Sequence, residues 1–345
     1  MPSMRRRVLA LFALPLAAAV AAGSCSVAPP QPPAEIGTVQ QPRMLTDRAV
    51  MSDGYELPYR TWAPESAPRA VVLALHGFND YHNAFAGVGP EFATRGILTY
   101  AYDQRGFGAT EQRGHWAGAE RMVADARTML RLLRDKHPGV PVYLMGESMG
   151  GAVGLATVAS GADGLVDGVV LVAPAVWARR TMPWYQRAAL SVARVVAPGW
   201  RPTGRGLGKV ASDNREMLLA MGRDPMVIKG TRIDTVAGLA DLMDLALDSA
   251  PRLNTPALVL YGERDEIVPK RPTCSMLATL PDRQRTDWRL ALYPQGYHML
   301  TRDLQGQVVV GDIAQWILDP SAPLPSGHEA AQSDWNSKIC QAQEA

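Results

Sequence analysis

The sequence predicts an α/β architecture in which a mostly parallel sheet is covered by helices and broken by one helical insertion. Three observations carry that prediction. Short β-branched apolar runs alternate with longer amphipathic stretches, the pattern of strands joined by helical crossovers. One of those runs ends directly in a glycine-rich turn, Gly146-Glu147-Ser148-Met149-Gly150-Gly151, that leads into a helical stretch. Between Pro174 and Asp234 the alternation stops for a segment rich in Pro, Gly and Trp, too long for a plain loop in a compact domain and therefore read as an inserted cap.

The chain has 345 residues, 47% apolar and 20% charged, which suits a sizeable globular core. A formal net charge of +2 gives nucleic acid no general electrostatic attraction, so any charge effect must be local. Residues 1–24 read as an export signal: Arg5, Arg6 and Arg7 precede an apolar run over 8–22 that is too short to span a bilayer comfortably and ends in small residues. The run closes as Ala22-Gly23-Ser24-Cys25, which resembles the lipobox of bacterial lipoproteins, with Ala22 where a larger aliphatic is usual. Lipidation at Cys25 and ordinary secretory cleavage both stand, and the adjacent arginines leave a twin-arginine route open. Either way the expected location is the bacterial cell envelope or outside it. Residues 25–43, rich in Pro and Gln, follow as an extended tether. Cys274 and Cys340 remain, so one disulfide is open to the chain in an oxidising compartment, but because so large a core does not require it, a buried or idle thiol pair is the preferred expectation.

The core is expected over 44–174 and 235–319, the cap over 175–234, and a Pro- and Ser-rich tail over 320–345, in which Trp335 and Ile339 are candidates to dock. Residues 48–51 and 55–62, joined through Asp53-Gly54, form an antiparallel hairpin at the sheet edge. Parallel strands follow at 71–75, 98–102, 142–145, 169–172, 258–261 and 289–292, each a short apolar run ending in turn chemistry. The clearest helices cover 118–136, stopped by Pro138-Gly139, a stretch opening at Met149, and 303–318, stopped by Pro320.

The turn at Ser148 is the strongest chemical signal. A serine held between a strand and a helix sits in strained backbone geometry, so positions flanking it that lack side chains avoid clashes. The same turn sets Ser148 at a helix N-terminus, where the amide of Met149 and the helix dipole favour a developing anion. Taken alone, G-x-S-x-G arises by accident in roughly one chain in ten of this length. The strand before it and the helix after it favour a nucleophile over a structural turn. His298, in Gly296-Tyr297-His298-Met299, lies in the loop after the last predicted strand, where a general base is needed; a surface histidine is the plain alternative. Asp265, in Tyr261-Gly262-Glu263-Arg264-Asp265, is the best acid to orient it, with Glu263 and Glu266 as rivals. The loop His76-Gly77-Phe78-Asn79-Asp80 follows the strand at 71–75, so the amide of Phe78 is the expected second oxyanion donor and His76 a hydrogen-bonding brace. His137, beside Pro138, reads as a helix-end cation, and His82 and His115 as residues near the cleft.

Together, His76-Gly77, the run Asp103-Gln104-Arg105-Gly106-Phe107-Gly108, the turn at 146–151, the segment 262–269 and Gly296-Tyr297-His298 resemble the monoacylglycerol lipase-like α/β-hydrolases. That family includes lysophospholipases and enzymes described as serine aminopeptidases. The likeness covers about residues 51–318 and implies an α/β-hydrolase fold, a helical cap after the strand at 169–172, and acyl esters as the substrate class. Gln104 and Phe107 depart from it, standing where family members often have His.

The cap adds a lipid argument. Residues 176–212 hold seven basic side chains, Arg179, Arg180, Arg187, Arg194, Arg201, Arg205 and Lys209, and no acidic one. The stretch 184–196 is amphipathic and suits a lipid interface, with a merely solvated outer face as the bland alternative. Trp177, Trp184, Met217 and Met221 are candidates to line an acyl-chain site, or else are ordinary cap core.

The leading expectation is therefore a serine hydrolase cleaving monoacyl lipid esters, with a small acyl ester or lipid and a membrane surface as partners. A small-ester carboxylesterase and an exopeptidase are the enzyme alternatives. An envelope binding protein on a hydrolase scaffold is the non-enzyme one. No metal-ligand cluster, dinucleotide fingerprint or phosphate loop is visible, so no cofactor and no metal are expected, and nothing signals an oligomeric state.

Overall fold

The computed structural model describes residues 39–161, 164–204, 208–283 and 286–341. The export segment with Cys25, the tether up to residue 38, and Arg205 lie outside the described residues.

The edge hairpin forms first, from β1 (Arg43–Met44), β2 (Arg48–Val50) and β3 (Glu56–Trp62), all antiparallel. Then come β4 (Ala70–Leu75), helix α1 (Val88–Thr94), β5 (Ile97–Tyr102), α2 (Ala119–Lys136), β6 (Val142–Glu147), α3 (Met149–Ala159) and β7 (Gly168–Val172). The cap supplies α4 (Trp184–Val196) and α5 (Arg215–Arg223), and α6 (Ile233–Ser249) returns the chain to the core. The series continues with β8 (Ala257–Gly262), α7 (Lys270–Thr279), β9 (Trp288–Tyr293) and α8 (Gly306–Leu318), and the tail adds a short α9 (Gln332–Trp335) running into a π-helical turn at Asn336–Cys340. Among the described residues nine strands make one sheet in the order β1-β2-β3-β5-β4-β6-β7-β8-β9. From β5 to β9 every pairing is parallel, which puts all the strand C-termini of that region at one edge. The predicted strands all form, each within one or two residues of its expected limits.

Alternation along the buried strands feeds two cores. In β4, Val71, Leu73 and Leu75 point to one face and Ala70, Val72 and Ala74 to the other. The first face is covered by α2, α3, α6 and α7, the second by α1 and α8. Helix α2 shows why such a segment folds against the sheet: Met122, Val123, Ala126, Met129, Leu130 and Leu133 recur at three- and four-residue spacing and are all buried. Each fully buried Leu or Met of this kind contributes about 2 kcal/mol relative to exposure.

Three expectations are corrected here. Cys274 and Cys340 are joined in a disulfide, not idle, while the tail docks as expected, with Trp335 and Ile339 buried in the first core. The pairing was not legible because 66 residues separate the two cysteines. His137 caps α2 as expected, but its ring Nε2 lies 3.0 Å from the Tyr100 hydroxyl, and burial, with the Lys136 charge, lowers its pKa and so disfavours the cation expected there. The helix expected over 303–318 begins at Gly306, after a short 3-10 turn at Leu300–Arg302, rather than at 303.

Candidate functional site

The C-terminal ends of β4, β6 and β8 and the loop after β9 converge at the sheet edge, as open parallel sheets require of their sites. Ser148 stands between β6 and α3 with φ 54°, a conformation that L side chains rarely adopt. The turn closes only because its neighbours are glycines. A Cβ on Gly146 would lie 2.1 Å from the Gly150 carbonyl oxygen, and one on Gly150 would lie 2.0 Å from that of Leu75. The strain is over-determined by backbone bonds: Ser148 N–H donates to Val172, and its carbonyl accepts from Ala152 and Ala175.

His298 Nε2 lies 2.8 Å from Ser148 Oγ, and His298 Nδ1 lies 2.7 Å from Asp265 Oδ2. The second Asp265 oxygen accepts the amides of Ile267 and Val268 at 2.8 and 2.9 Å, so the carboxylate is fixed from both ends. With the carboxylate accepting at Nδ1, that nitrogen carries the proton and Nε2 is left as acceptor for the serine hydroxyl. Burial pushes the His298 pKa down, but the charge and hydrogen bond of Asp265, aided by the Glu147 charge, outweigh it, and the pKa is raised above 6.5. The two turns approach because Gly262 has no side chain: a Cβ there would sit 2.4 Å from the carbonyl oxygens of both Gly296 and Tyr297.

The rivals are engaged elsewhere. Glu263 stands 3.1 Å from the Lys338 ammonium, and Glu266 accepts the amide of Val210 at 3.0 Å. His328 also follows the last strand, but it lies in the tail, stacked edge-on against Tyr293. His82 binds Asp103 at 2.7 Å and His115 the Gln112 carbonyl at 3.1 Å.

Gly77 lies against the nucleophile: a Cβ there would stand 3.5 Å from that of Ser148, so Phe78 follows directly on the contact. His76 braces this loop as expected, its Nδ1 meeting the Gly77 carbonyl at 2.8 Å and its Nε2 accepting the Gln104 amide at 3.0 Å. Gln104 returns a bond to the His76 carbonyl at 2.8 Å. Phe107 packs edge-on against both His76 and Phe78, each at 5.7 Å between ring centres. The two departures from the family pattern thus fill one brace behind the loop.

Of the cap candidates, Trp177 is half-buried and packs on the first core, and Met217 and Met221 are half-buried in α5, with Met221 Sδ 3.6 Å from Arg302 Nη1. Trp184 is 74% exposed on α4, so it is not ordinary cap core. Two of the basic residues are also spent, because Arg179 pairs with Asp241 and Asp244 and Arg180 with Asp248, all on α6. The sequence did not pair them because the partners lie some sixty residues on, beyond the cap. Among the described residues no group of three or more His, Cys, Asp or Glu is placed to share a metal ion.

A parallel sheet with a strained serine after one strand, an acid after the next but one and a histidine after the last, in that chain order, defines an α/β-hydrolase of the serine type. Residues 66–305 match the family described as serine aminopeptidase, S33, and the chain belongs to that family. It is 30% identical to the monoacylglycerol lipase of Mycolicibacterium smegmatis over 270 residues, 77% of this chain and 94% of that one. It is 25% identical to the human monoglyceride lipase over 284 residues, 79% of this chain and 90% of that one. In fold it is similar to the crystal structure of the Paleococcus ferrophilus monoacylglycerol lipase, with a TM-score of 0.65 and 23% identity over 77% of this chain and all (100%) of that one. The chain is a hydrolase of the lipase and esterase type.

Proposed function

We propose that the protein cleaves the ester bond of monoacyl lipids, monoacylglycerols or lysophospholipids, through an acyl-enzyme on Ser148. The observation that carries the chemistry is the unbroken relay from Asp265 through His298 to Ser148. Ser148 Oγ attacks the ester carbonyl carbon while His298 Nε2 takes its proton. The carbonyl oxygen becomes an oxyanion that accepts from the amides of Met149 and Phe78, each donor of this kind being worth about 3 kcal/mol of barrier. The tetrahedral intermediate collapses, His298 hands the proton to the departing alcohol, and a water, deprotonated by the same nitrogen, releases the fatty acid and frees Ser148. Asp265 holds the tautomer and stabilises the imidazolium that forms twice per cycle.

Two features support a lipid substrate. The relatives named as monoacylglycerol lipases match over most of their length, and the cap carries an apolar face open to solvent. Along α4, Trp184, Tyr185, Val192, Val195 and Val196 are all exposed, followed by Trp200, while Leu190 on the opposite side packs half-buried on the first core. Such a face suits the acyl boundary of a membrane, with Arg187 and Arg194 at the headgroups. An exopeptidase would need free carboxylates to capture an amine, whereas Asp80 and Glu147, the acids beside the site, are both bound to Arg302. We infer further that the protein is exported to the cell envelope. Cell fractionation, with radiolabelled palmitate compared between the native chain and Cys25→Ser, tests that inference.

The decisive experiment profiles monoacyl lipids and p-nitrophenyl esters of increasing chain length, with Ser148→Ala as the blank. Turnover of long-chain esters, lost in the blank together with fluorophosphonate labelling, is the expected result. A strong preference for acetate over decanoate would replace the lipid reading by a small-ester esterase. Hydrolysis of an aminoacyl arylamide would revive the exopeptidase.

A further inference from the structure

The turns that converge on Ser148 are also tied together by one cation that the relay does not use. Arg302 ends the 3-10 turn Leu300–Arg302, four residues beyond His298, and its side chain is only 13% exposed. Its Nη1 donates to Asp80 Oδ2 at 2.7 Å, and Asp80 closes the loop that carries Phe78. Its Nη2 donates to Glu147 Oε1 at 3.2 Å, and Glu147 immediately precedes Ser148. Its carbonyl accepts Asn214 Nδ2 at 2.9 Å, and Asn214 caps α5 by accepting the Met217 amide. Both carboxylates are buried, so this is an Arg fork between two acids in the interior rather than a surface pair. For stability alone, apolar side chains of similar volume serve a buried site as well or better. What a planar guanidinium adds is fixed geometry, because its donors diverge in set directions.

The geometry points to Arg302 as a positioning residue that locks the Phe78 loop, the nucleophile turn and the base loop in one register, so that the oxyanion donors and the imidazole meet Ser148 together. This rests on the reading of Ser148 given above. Arg302 touches none of the reacting atoms named there. It acts through Asp80 on one side and Glu147 on the other. It also has an electrostatic signature that a spacer would lack. The charged groups around His298 are Asp265 from the acid turn, Glu147 from the nucleophile turn and Arg302 from its own loop, with Asp80 behind Arg302 and Asp303 under the Tyr297 amide. Glu147 and Asp265 favour the imidazolium and Arg302 opposes it.

The test measures p-nitrophenyl butyrate hydrolysis against pH for the purified full-length protein and for Ser148→Ala, Arg302→Gln, Arg302→Lys and Glu147→Gln, with active sites counted by a fluorophosphonate probe. For Arg302→Gln, kcat per labelled site should fall by about 100-fold, the cost of a misplaced reacting group. KM should stay within roughly threefold, since ground-state binding is untouched. The acid limb of kcat/KM should move up in Arg302→Gln and down in Glu147→Gln, and Arg302→Lys, which restores the charge without the fork, should return the limb toward its native position while recovering little of the lost kcat. Wild-type turnover per site with an unmoved limb in Arg302→Gln would overturn the assignment. If Arg302→Gln does not fold, an unmoved limb and unchanged kcat in Glu147→Gln would overturn it equally. A Ser148→Ala protein that stays active would sink the Ser148 reading itself, whereas an inactive one beside a fully active Arg302→Gln would sink only the positioning role.

Discussion

His298 Nε2 lies 2.8 Å from Ser148 Oγ across 150 residues of sequence, in a chain where neither residue is adjacent to the other's secondary structure. The contact has a pH consequence. The neutral imidazole is the form that can accept the serine proton, so activity is lost as pH falls through the pKa of the folded protein. That pKa is raised above 6.5, because Asp265 and Glu147 outweigh burial. The acid limb of kcat/KM should therefore have its midpoint above the ordinary histidine value.

Removing the carboxylate reverses the balance. In Asp265→Asn the effect of burial is left without its main opponent, so the limb should move to lower pH, and the wrong tautomer should lower kcat by about 10⁴-fold. A pH series with a soluble ester measures both at once. A limb that stays in place, with kcat retained, would mean that another acid, Glu263 or Glu266, has been orienting the ring.

The nucleophile turn should resist even one methyl group. A Cβ on Gly150 would meet the Leu75 carbonyl at 2.0 Å, and backbone cannot step aside as a flexible side chain can. Gly150→Ala should cost about 3 kcal/mol or more, at the upper end of overpacking penalties, and should displace the Met149 amide with it. Gly222, inside α5, meets nothing within 4 Å and has no positive φ, so Gly222→Ala should stabilise by about 0.5–1 kcal/mol through helix propensity alone. Urea unfolding of the two variants makes the comparison.

Much of this site was legible because its signals are local. The strands read out as continuous apolar runs since both their faces are buried, and the glycines at 146 and 150 announce a close approach wherever it occurs. Choosing Asp265 over Glu263 and Glu266 was harder, because the acids crowd one turn and only Lys338 and the Val210 amide, from distant segments, separate them. Periodicity revealed that α4 is amphipathic but not which side meets the core, which is why Trp184 was expected inside. Arg302 and Phe107 carry no local signature. Each matters for what it touches across the fold, and a single arginine after a histidine looks like any solvated loop residue.

The disulfide offers a stability test independent of the chemistry. Cys274 on α7 and Cys340 in the tail close a loop of 66 residues, for which chain-entropy reasoning gives about 4 kcal/mol of stabilisation. Reductant should lower the urea midpoint of the native protein and leave that of the Cys274→Ser, Cys340→Ser double variant unchanged. Because the link fastens the tail to the core and touches none of the relay residues, kcat below the transition should change far less than stability.

The last prediction separates the membrane surface from the chemistry. Val195 is 76% exposed on the same stripe of α4 as Trp184, and a monomer has no use for a row of such residues in water. If the stripe enters a bilayer, Trp184→Ser with Val195→Ser should lower affinity for anionic phospholipid vesicles by about 100-fold or more, at about 1.5–3 kcal/mol per large apolar side chain withdrawn. Turnover of a water-soluble ester should be unaffected, since both side chains are exposed to solvent on α4. The arginines should divide in a way that composition alone does not foretell. Arg187→Gln and Arg194→Gln should each weaken vesicle binding by about 1 kcal/mol in low salt. Arg179→Gln and Arg180→Gln should weaken it much less, because their charges are already met by Asp241, Asp244 and Asp248 of α6. Equal losses at all four arginines would point to a diffuse attraction by the whole cap rather than to one helix face, and unchanged binding in the Trp184, Val195 double variant would remove α4 from the membrane altogether.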